Sequence, residues 1–122
     1  MKTPFLIVVL VLFTLNGCNT ANNADDIEGY YTGTFQRGEI ISNVTLNLNG
    51  KNFSGESDIA KFPAICNGNF TILNDMVTFD NLCPWTAEFD WSLILSNEWH
   101  FTIDYNKLTL TNSIGDIYIL TK

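Results

Sequence analysis

The chain has 122 residues, 46% of them hydrophobic, which suits one buried core of ordinary size rather than several. Thirteen acidic side chains against six basic ones leave a net charge of −7. That balance excludes a nucleic-acid binder, which needs a basic footprint to neutralise phosphates. Nor does the sequence hold a run of Lys/Arg of the kind a polybasic membrane binder uses.

The first element is the apolar run Phe5–Phe13, with Lys2 ahead of it. A membrane-spanning helix needs about 20 residues. A nine-residue run behind a positive charge has instead the form of a signal-peptide core. It ends at Leu15, Asn16, Gly17 and Cys18, which resemble the bacterial lipobox, although Asn16 departs from its usual small or apolar residue. The resemblance implies that the Cys18 thiol receives a diacylglyceryl group and that the chain is cut just before it. Two or three acyl chains then give a stable anchor, since one alone holds only marginally. Residues 1–17 are therefore expected to be a lipoprotein signal peptide. Residues 18–26, ending in "NTANNADD", are expected to be a flexible polar tether, and residues 27–122 a single domain. Cleavage would remove 17 residues and Lys2 with them, leaving 105 residues and a charge of −8.

The domain reads with period two throughout. "EGYYTGTF" opens it. In "IISNVTLNLNGKNFSG", Val44, Leu46 and Leu48 face one way and Asn43, Thr45 and Asn47 the other. Asn49-Gly50 then gives the strongest short hairpin signal, with Phe53 on the return strand. "CNGNFTIL" aligns Cys66, Gly68, Phe70 and Ile72; Asn74-Asp75 marks a turn before Val77 and Phe79. The pattern predicts one helical turn, at "PWTAEF", where Pro84 could occupy the first position. "WSLIL" aligns Trp91, Leu93 and Leu95, and Ser96-Asn97 reads as a tight turn. "EWHFTID" aligns Trp99, Phe101 and Ile103, "NKLTLT" aligns Leu108 and Leu110, and "GDIYILTK" closes the chain. The expectation is all-β: eight short strands in an antiparallel meander, closed into a barrel or, alternatively, folded into a β-sandwich.

Gly29-Tyr30-Tyr31, in the first strand, resembles the Gly-x-Trp of lipocalins and related calycin barrels, with Tyr31 in place of tryptophan. The whole chain resembles the small lipocalin-like lipoproteins of Bacteroidetes-type bacteria. The resemblance implies a lipocalin-like barrel and a ligand-binding style. With the lipobox it also implies a lipid-anchored protein of the bacterial cell envelope, at the outer membrane.

Setting Cys18 aside leaves Cys66 and Cys83. An even remainder in an exported chain points to one disulfide, the alternative being free thiols or half a metal site. His100, the sole histidine, lies opposite Trp99 and Phe101 and is expected to face solvent with no nucleophile motif beside it. Glu88 and Asp90 are too close in sequence to face each other across a cleft, and read as solvated loop charges. The cluster Asp25, Asp26 and Glu28 lacks the spacing of a calcium loop. Asn43, Asn52 and Asn69 head Asn-x-Ser/Thr triplets, which a bacterial chain normally leaves unglycosylated.

The aromatics are the remaining candidates. Trp85, Phe89, Trp91 and Trp99 crowd one region beside Cys83. They read either as core and cap of a filled barrel or as the mouth of a ligand pocket. The leading expectation is a lipid-anchored envelope protein binding a small apolar ligand through Tyr31, Trp85, Phe89, Trp91 and Trp99. Trp91 and Trp99 would point inward and Trp85 would cap them. The alternative is a structural or interaction module, such as an inhibitor or assembly factor, with a filled core. No enzymatic activity, cofactor or metal site is expected, and any protein partner is unspecified.

Overall fold

Alternation of apolar and polar residues becomes alternation of inside and outside when successive side chains leave opposite faces of a strand. In the computed structural model, which describes residues 27–122 apart from Ala87, that alternation runs through eight strands. They are β1 (Gly29–Arg37), β2 (Ile40–Asn49), β3 (Asn52–Ser57), β4 (Cys66–Leu73), β5 (Met76–Asn81), β6 (Asn97–Asp104), β7 (Lys107–Thr111) and β8 (Ile117–Thr121). Each pairs antiparallel with the next, and β8 pairs back onto β1 with Gln36 opposite Ile117 and Thr32 opposite Thr121. The sheet is thus a closed barrel and has no free edge. The sandwich alternative is not what forms.

Closure depends on Gly33. A Cβ there would lie 2.0 Å from the Ile119 carbonyl oxygen and 2.8 Å from Leu120 Cα. Only a residue without a side chain lets β1 approach β8 this closely.

The inward set includes Val44, Leu46 and Leu48 of β2, Phe70 of β4, Phe79 of β5, Phe101 of β6, and Leu108 and Leu110 of β7, all buried. A barrel of eight strands is just wide enough for side chains to fill, and here they do so with aromatic contacts. Phe35 meets Tyr118 with ring centroids 5.0 Å apart, Trp99 meets Tyr118 at 5.2 Å, and Phe53 meets Phe79 at 5.2 Å.

Four two-residue turns join neighbouring strands: Gly38-Glu39, Gly50-Lys51, Asn74-Asp75 and Tyr105-Asn106. In each, the first central residue has a positive φ, between 57° and 67°. The Asn49-Gly50 signal therefore lands one residue late. Asn49 pairs with Asn52 as the last strand pair, and Gly50 takes the left-handed position that glycine fills without a steric penalty.

The turns sort the molecule into two ends. Ile27, the C-terminus and the β2–β3, β4–β5 and β6–β7 turns share one end. The β1–β2 turn and the three longer connections, 58–65, 82–96 and 112–116, share the other.

Three local expectations are corrected, the first being the Ser96-Asn97 turn, since Asn97 instead opens β6 opposite Phe79. "WSLIL" is not extended from its start: Trp91–Leu93 form a 3-10 turn, and only Ile94 makes an isolated bridge, to Ala64. Asp90 causes this by capping the turn, its carboxylate accepting from the Ser92 backbone N–H at 2.9 Å. "PWTAEF" correspondingly holds no helical turn at its described residues. The signal peptide, the tether and Cys18 lie outside the described residues.

Candidate functional site

The looped end is where the sequence gathers its aromatics and its two remaining cysteines. It is assembled from connections that have no strand ladder of their own, so other bonds must satisfy their backbone groups. The 58–65 and 82–96 connections lace together: the Ala64 N–H donates to Leu93 O and the Leu95 N–H to Ala64 O, both at 2.9 Å. Asn81, at the end of β5, spends its whole side-chain amide on the same junction. Its Nδ2 donates to Ile65 O at 2.6 Å and Leu95 O at 3.2 Å. Its Oδ1 accepts from the Cys83 N–H and from Trp85 Nε1. The Cys66–Cys83 disulfide fastens the start of β4 to the loop beyond β5, so the cysteine expectation holds.

These bonds press Ile65 and Leu95, both fully buried, into the core. Phe62 packs edge-on against Phe35 at 5.5 Å, with Tyr118 and Trp99 continuing the contact inward. The looped end is thereby plugged with side chains.

Arg37 ties the rim. It donates to the Asp116 carboxylate from Nε at 2.8 Å and from Nη2 at 2.7 Å, and reaches Asp90 and Ser92 through Nη1 at 3.2 and 3.0 Å. The hydrogen bond to Asp116 raises the Arg37 pKa above its ordinary value. Hydrogen bonds from Ser92, and then the charge of Arg37, hold Asp90 below the usual carboxylate range. Asp90 is solvated as expected, but it is also a cap and an ion-pair partner.

Of the five aromatics expected to bind a ligand, Trp91 and Trp99 border one concavity of about 190 Å³ at the looped end, and the other three do not join it. Trp99 is buried, its Nε1 donating to Ser96 O at 3.0 Å. Trp85 and Phe89 form a half-buried pair on the rim at 5.7 Å, with Lys61 Nζ 5.0 Å from the Phe89 centroid. Trp91 is 54% exposed and does not share the inward parity of Trp99, because the 3-10 turn breaks the strand alternation between them. Tyr31 sits toward the opposite end. Its hydroxyl donates to Ile27 O at 2.9 Å, Lys122 Nζ lies 5.5 Å from its ring centroid, and burial pushes its pKa up to about 12. Sequence parity separates inside from outside but carries no information on which end of a barrel a residue occupies.

Two further concavities lie on the outer wall. One, of about 630 Å³, spans β1–β3 and is lined by Tyr30, Thr32, Thr34, Asn43, Glu56 and Asp58. Another, of about 760 Å³, is bordered by Met76, Thr78, Glu98, His100, Thr111 and Asn112. His100 faces outward, its Nε2 3.0 Å from the Asp75 carboxylate. In the first, Asp58 accepts from Ser42 Oγ at 2.8 Å and from the Asn43 N–H at 2.9 Å, which lowers its pKa.

No family model, curated protein or solved structure matches the chain.

Proposed function

We propose that this chain is a lipid-anchored protein of the bacterial envelope that works as an interaction module, engaging partners through its outer wall and loops. The single observation that carries this reading is the filling of the barrel. Tyr31, Phe35, Phe53, Phe70 and Tyr118 are all essentially inaccessible, and Ile65 and Leu95 stop the looped end. A small apolar ligand would have to displace such side chains, and emptying a packed aromatic site costs about 3–5 kcal/mol. The apolar-ligand reading is therefore the less favoured one. The resemblance of Leu15–Cys18 to a lipobox supports the anchor, and the disulfide fits an oxidising compartment. His100, the one histidine, is spent on an exposed pair with Asp75 on the outer wall.

Tryptophan emission tests the choice. Trp99 lies against Tyr118 in the core, so any ligand entering the barrel changes its surroundings. Titration with fatty acids, haem and small aromatics is expected to give no saturable shift. A saturable shift that Trp99→Phe abolishes, in a variant shown to be folded, would restore the apolar-ligand reading.

A further inference from the structure

Lys51, Lys107 and Lys122 are far apart in sequence, and the fold brings them to one end. Lys51 lies in the β2–β3 turn, Lys107 opens β7 just past the β6–β7 turn, and Lys122 follows β8. The same end carries three described acids, Glu28, Asp75 and Asp104, so its described side chains sum to a formal charge of zero. The other eight described acids lie toward the looped end, where Arg37 and Lys61 are the only basic residues described, leaving a formal −6. Among the described side chains the excess negative charge is thus segregated along the barrel axis.

Two apolar side chains mark the neutral end. Leu73, beside the β4–β5 turn, is 75% exposed, and Tyr105, at the tip of the β6–β7 turn, is 95% exposed. Tyr105 also holds a φ of 58°, a conformation that bulky residues rarely adopt. A glycine or asparagine would serve that turn with less strain. Folding therefore does not ask for a tyrosine there, and the side chain touches solvent.

The described chain begins at this end too. Ile27 is buried beneath it, fixed by the Tyr31 hydroxyl, and the Glu28 carboxylate accepts from the Gly50 N–H. Nine peptide steps separate Ile27 from Cys18, a reach of at most about 30 Å when fully extended.

We propose that this end of the barrel is a docking face for an anionic lipid surface. Leu73 and Tyr105 enter the interface and Lys51 and Lys107 lie over the headgroups, while Lys122 Nζ is held beside them by Glu28 O and the Tyr31 ring. This rests on the lipid-anchored reading of Cys18 and deepens it by giving the anchored domain an orientation. The difference in charge between the two ends selects the face. Lysines near an anionic leaflet are attracted to it, whereas the looped end at −6 is repelled. The Debye length is about 8 Å at physiological salt, so the end touching the surface dominates and the distant charge is screened. Tyrosine is also a residue enriched at membrane–water interfaces.

The test uses protein extracted from its own membrane. Mass spectrometry first reports whether Cys18 carries a diacylglyceryl group. The lipidated chain is then placed in nanodiscs of phosphatidylethanolamine and phosphatidylglycerol containing a gadolinium-chelate headgroup lipid, and amide NMR signals are followed. Amides of Lys51, Leu73 and Tyr105 are expected to broaden several-fold more than those of Gly38, Glu88 and Ile114. The double variant Lys51→Glu with Lys107→Glu, both exposed positions, is expected to keep the fold and the lipid but lose that contrast. Uniform broadening, or broadening strongest at Gly38 and Glu88, in a chain shown to be lipidated would overturn the orientation while leaving the anchor intact. A contrast unaltered by the charge reversals would overturn the role of the lysines. A native chain with no lipid on Cys18 would overturn anchor and orientation together.

Discussion

Arg37 and Asp116 stand 79 residues apart in sequence and meet through two parallel hydrogen bonds of 2.8 and 2.7 Å. Asp116 is 1% exposed and has one further side-chain donor, Asn112 Nδ2 at 3.2 Å. The same guanidinium reaches Asp90 and Ser92. One side chain at the end of β1 thus holds the connection before β8 and the connection before β6 in place over the plugged end. Its planar fork suits this task, since it can address one carboxylate with two donors and still have a third to spare.

Arg37→Ala is expected to destabilise the domain by about 3 kcal/mol, because it leaves a buried carboxylate with its charge uncompensated. Arg37→Lys should recover part of that loss, as an ammonium restores the charge but not the bidentate geometry. Urea denaturation of the three proteins measures both effects. An Arg37→Ala midpoint equal to that of the wild type would mean that Asp116 is satisfied without the guanidinium.

The Cys66–Cys83 bridge closes a loop of 17 residues, worth about 3 kcal/mol on the chain-entropy account. The double variant Cys66→Ser with Cys83→Ser should fall in stability by about that amount yet keep its barrel, since the β4–β5 ladder of six residue pairs does not involve the sulfurs. Circular dichroism should show unchanged strand content with a lowered melting temperature. The bridge would have a larger role than loop closure if the variant failed to fold.

The eight strands were legible because nearly every one buries one face, which imposes a period of two on the residues. Val44, Leu46 and Leu48 against Asn43, Thr45 and Asn47 are the clearest case. Reading failed where a local polar group outbid that pattern. At Trp91–Leu95 the alternation was genuine, but Asp90 with Ser92 two residues on is a capping signal, and it converts the start of the segment into a 3-10 turn. Arg37 and Asn81, which organise the looped end, leave no periodic trace because their partners lie in other connections. One signal was available for Arg37: it is the sole arginine of the chain and stands directly before the Gly38 turn.

Alkaline pH should weaken the fold through buried tyrosines. Burial raises the Tyr31 pKa from 10.0 to about 12, and burial, followed by the nearby Asp116 charge, raises that of Tyr118 well above its ordinary value. The unfolded chain therefore releases phenol protons that the native barrel retains. Stability from these groups is complete below pH 10 and declines as pH rises toward 12. For Tyr31 the loss is on the order of 2 kcal/mol across that window. Tyr31→Phe should cost about 1 kcal/mol at neutral pH, through the lost hydrogen bond to Ile27 O, and should flatten the alkaline decline. Denaturation midpoints at several pH values decide this, and an equally steep decline in Tyr31→Phe would assign the effect elsewhere.

Tyr105 separates stability from surface attachment. Its φ of 58° is a conformation that L-residues other than glycine and asparagine resist. Its ring is almost wholly exposed, so little packing compensates for the strain. Tyr105→Asn should therefore stabilise the isolated domain by roughly 0.5–1 kcal/mol, since the turn keeps its shape and the left-handed position gains a residue that tolerates it. The same substitution removes the aromatic side chain proposed to enter the lipid interface. In lipidated protein on anionic nanodiscs it should lower the broadening of the Leu73 and Lys51 amides while leaving their chemical shifts in solution unchanged. A gain in stability together with weakened surface contact is the result expected if this residue was placed for the membrane. If Tyr105→Asn instead lowered stability, the exposed ring would have to be making a contribution to the fold that its position gives no reason to expect.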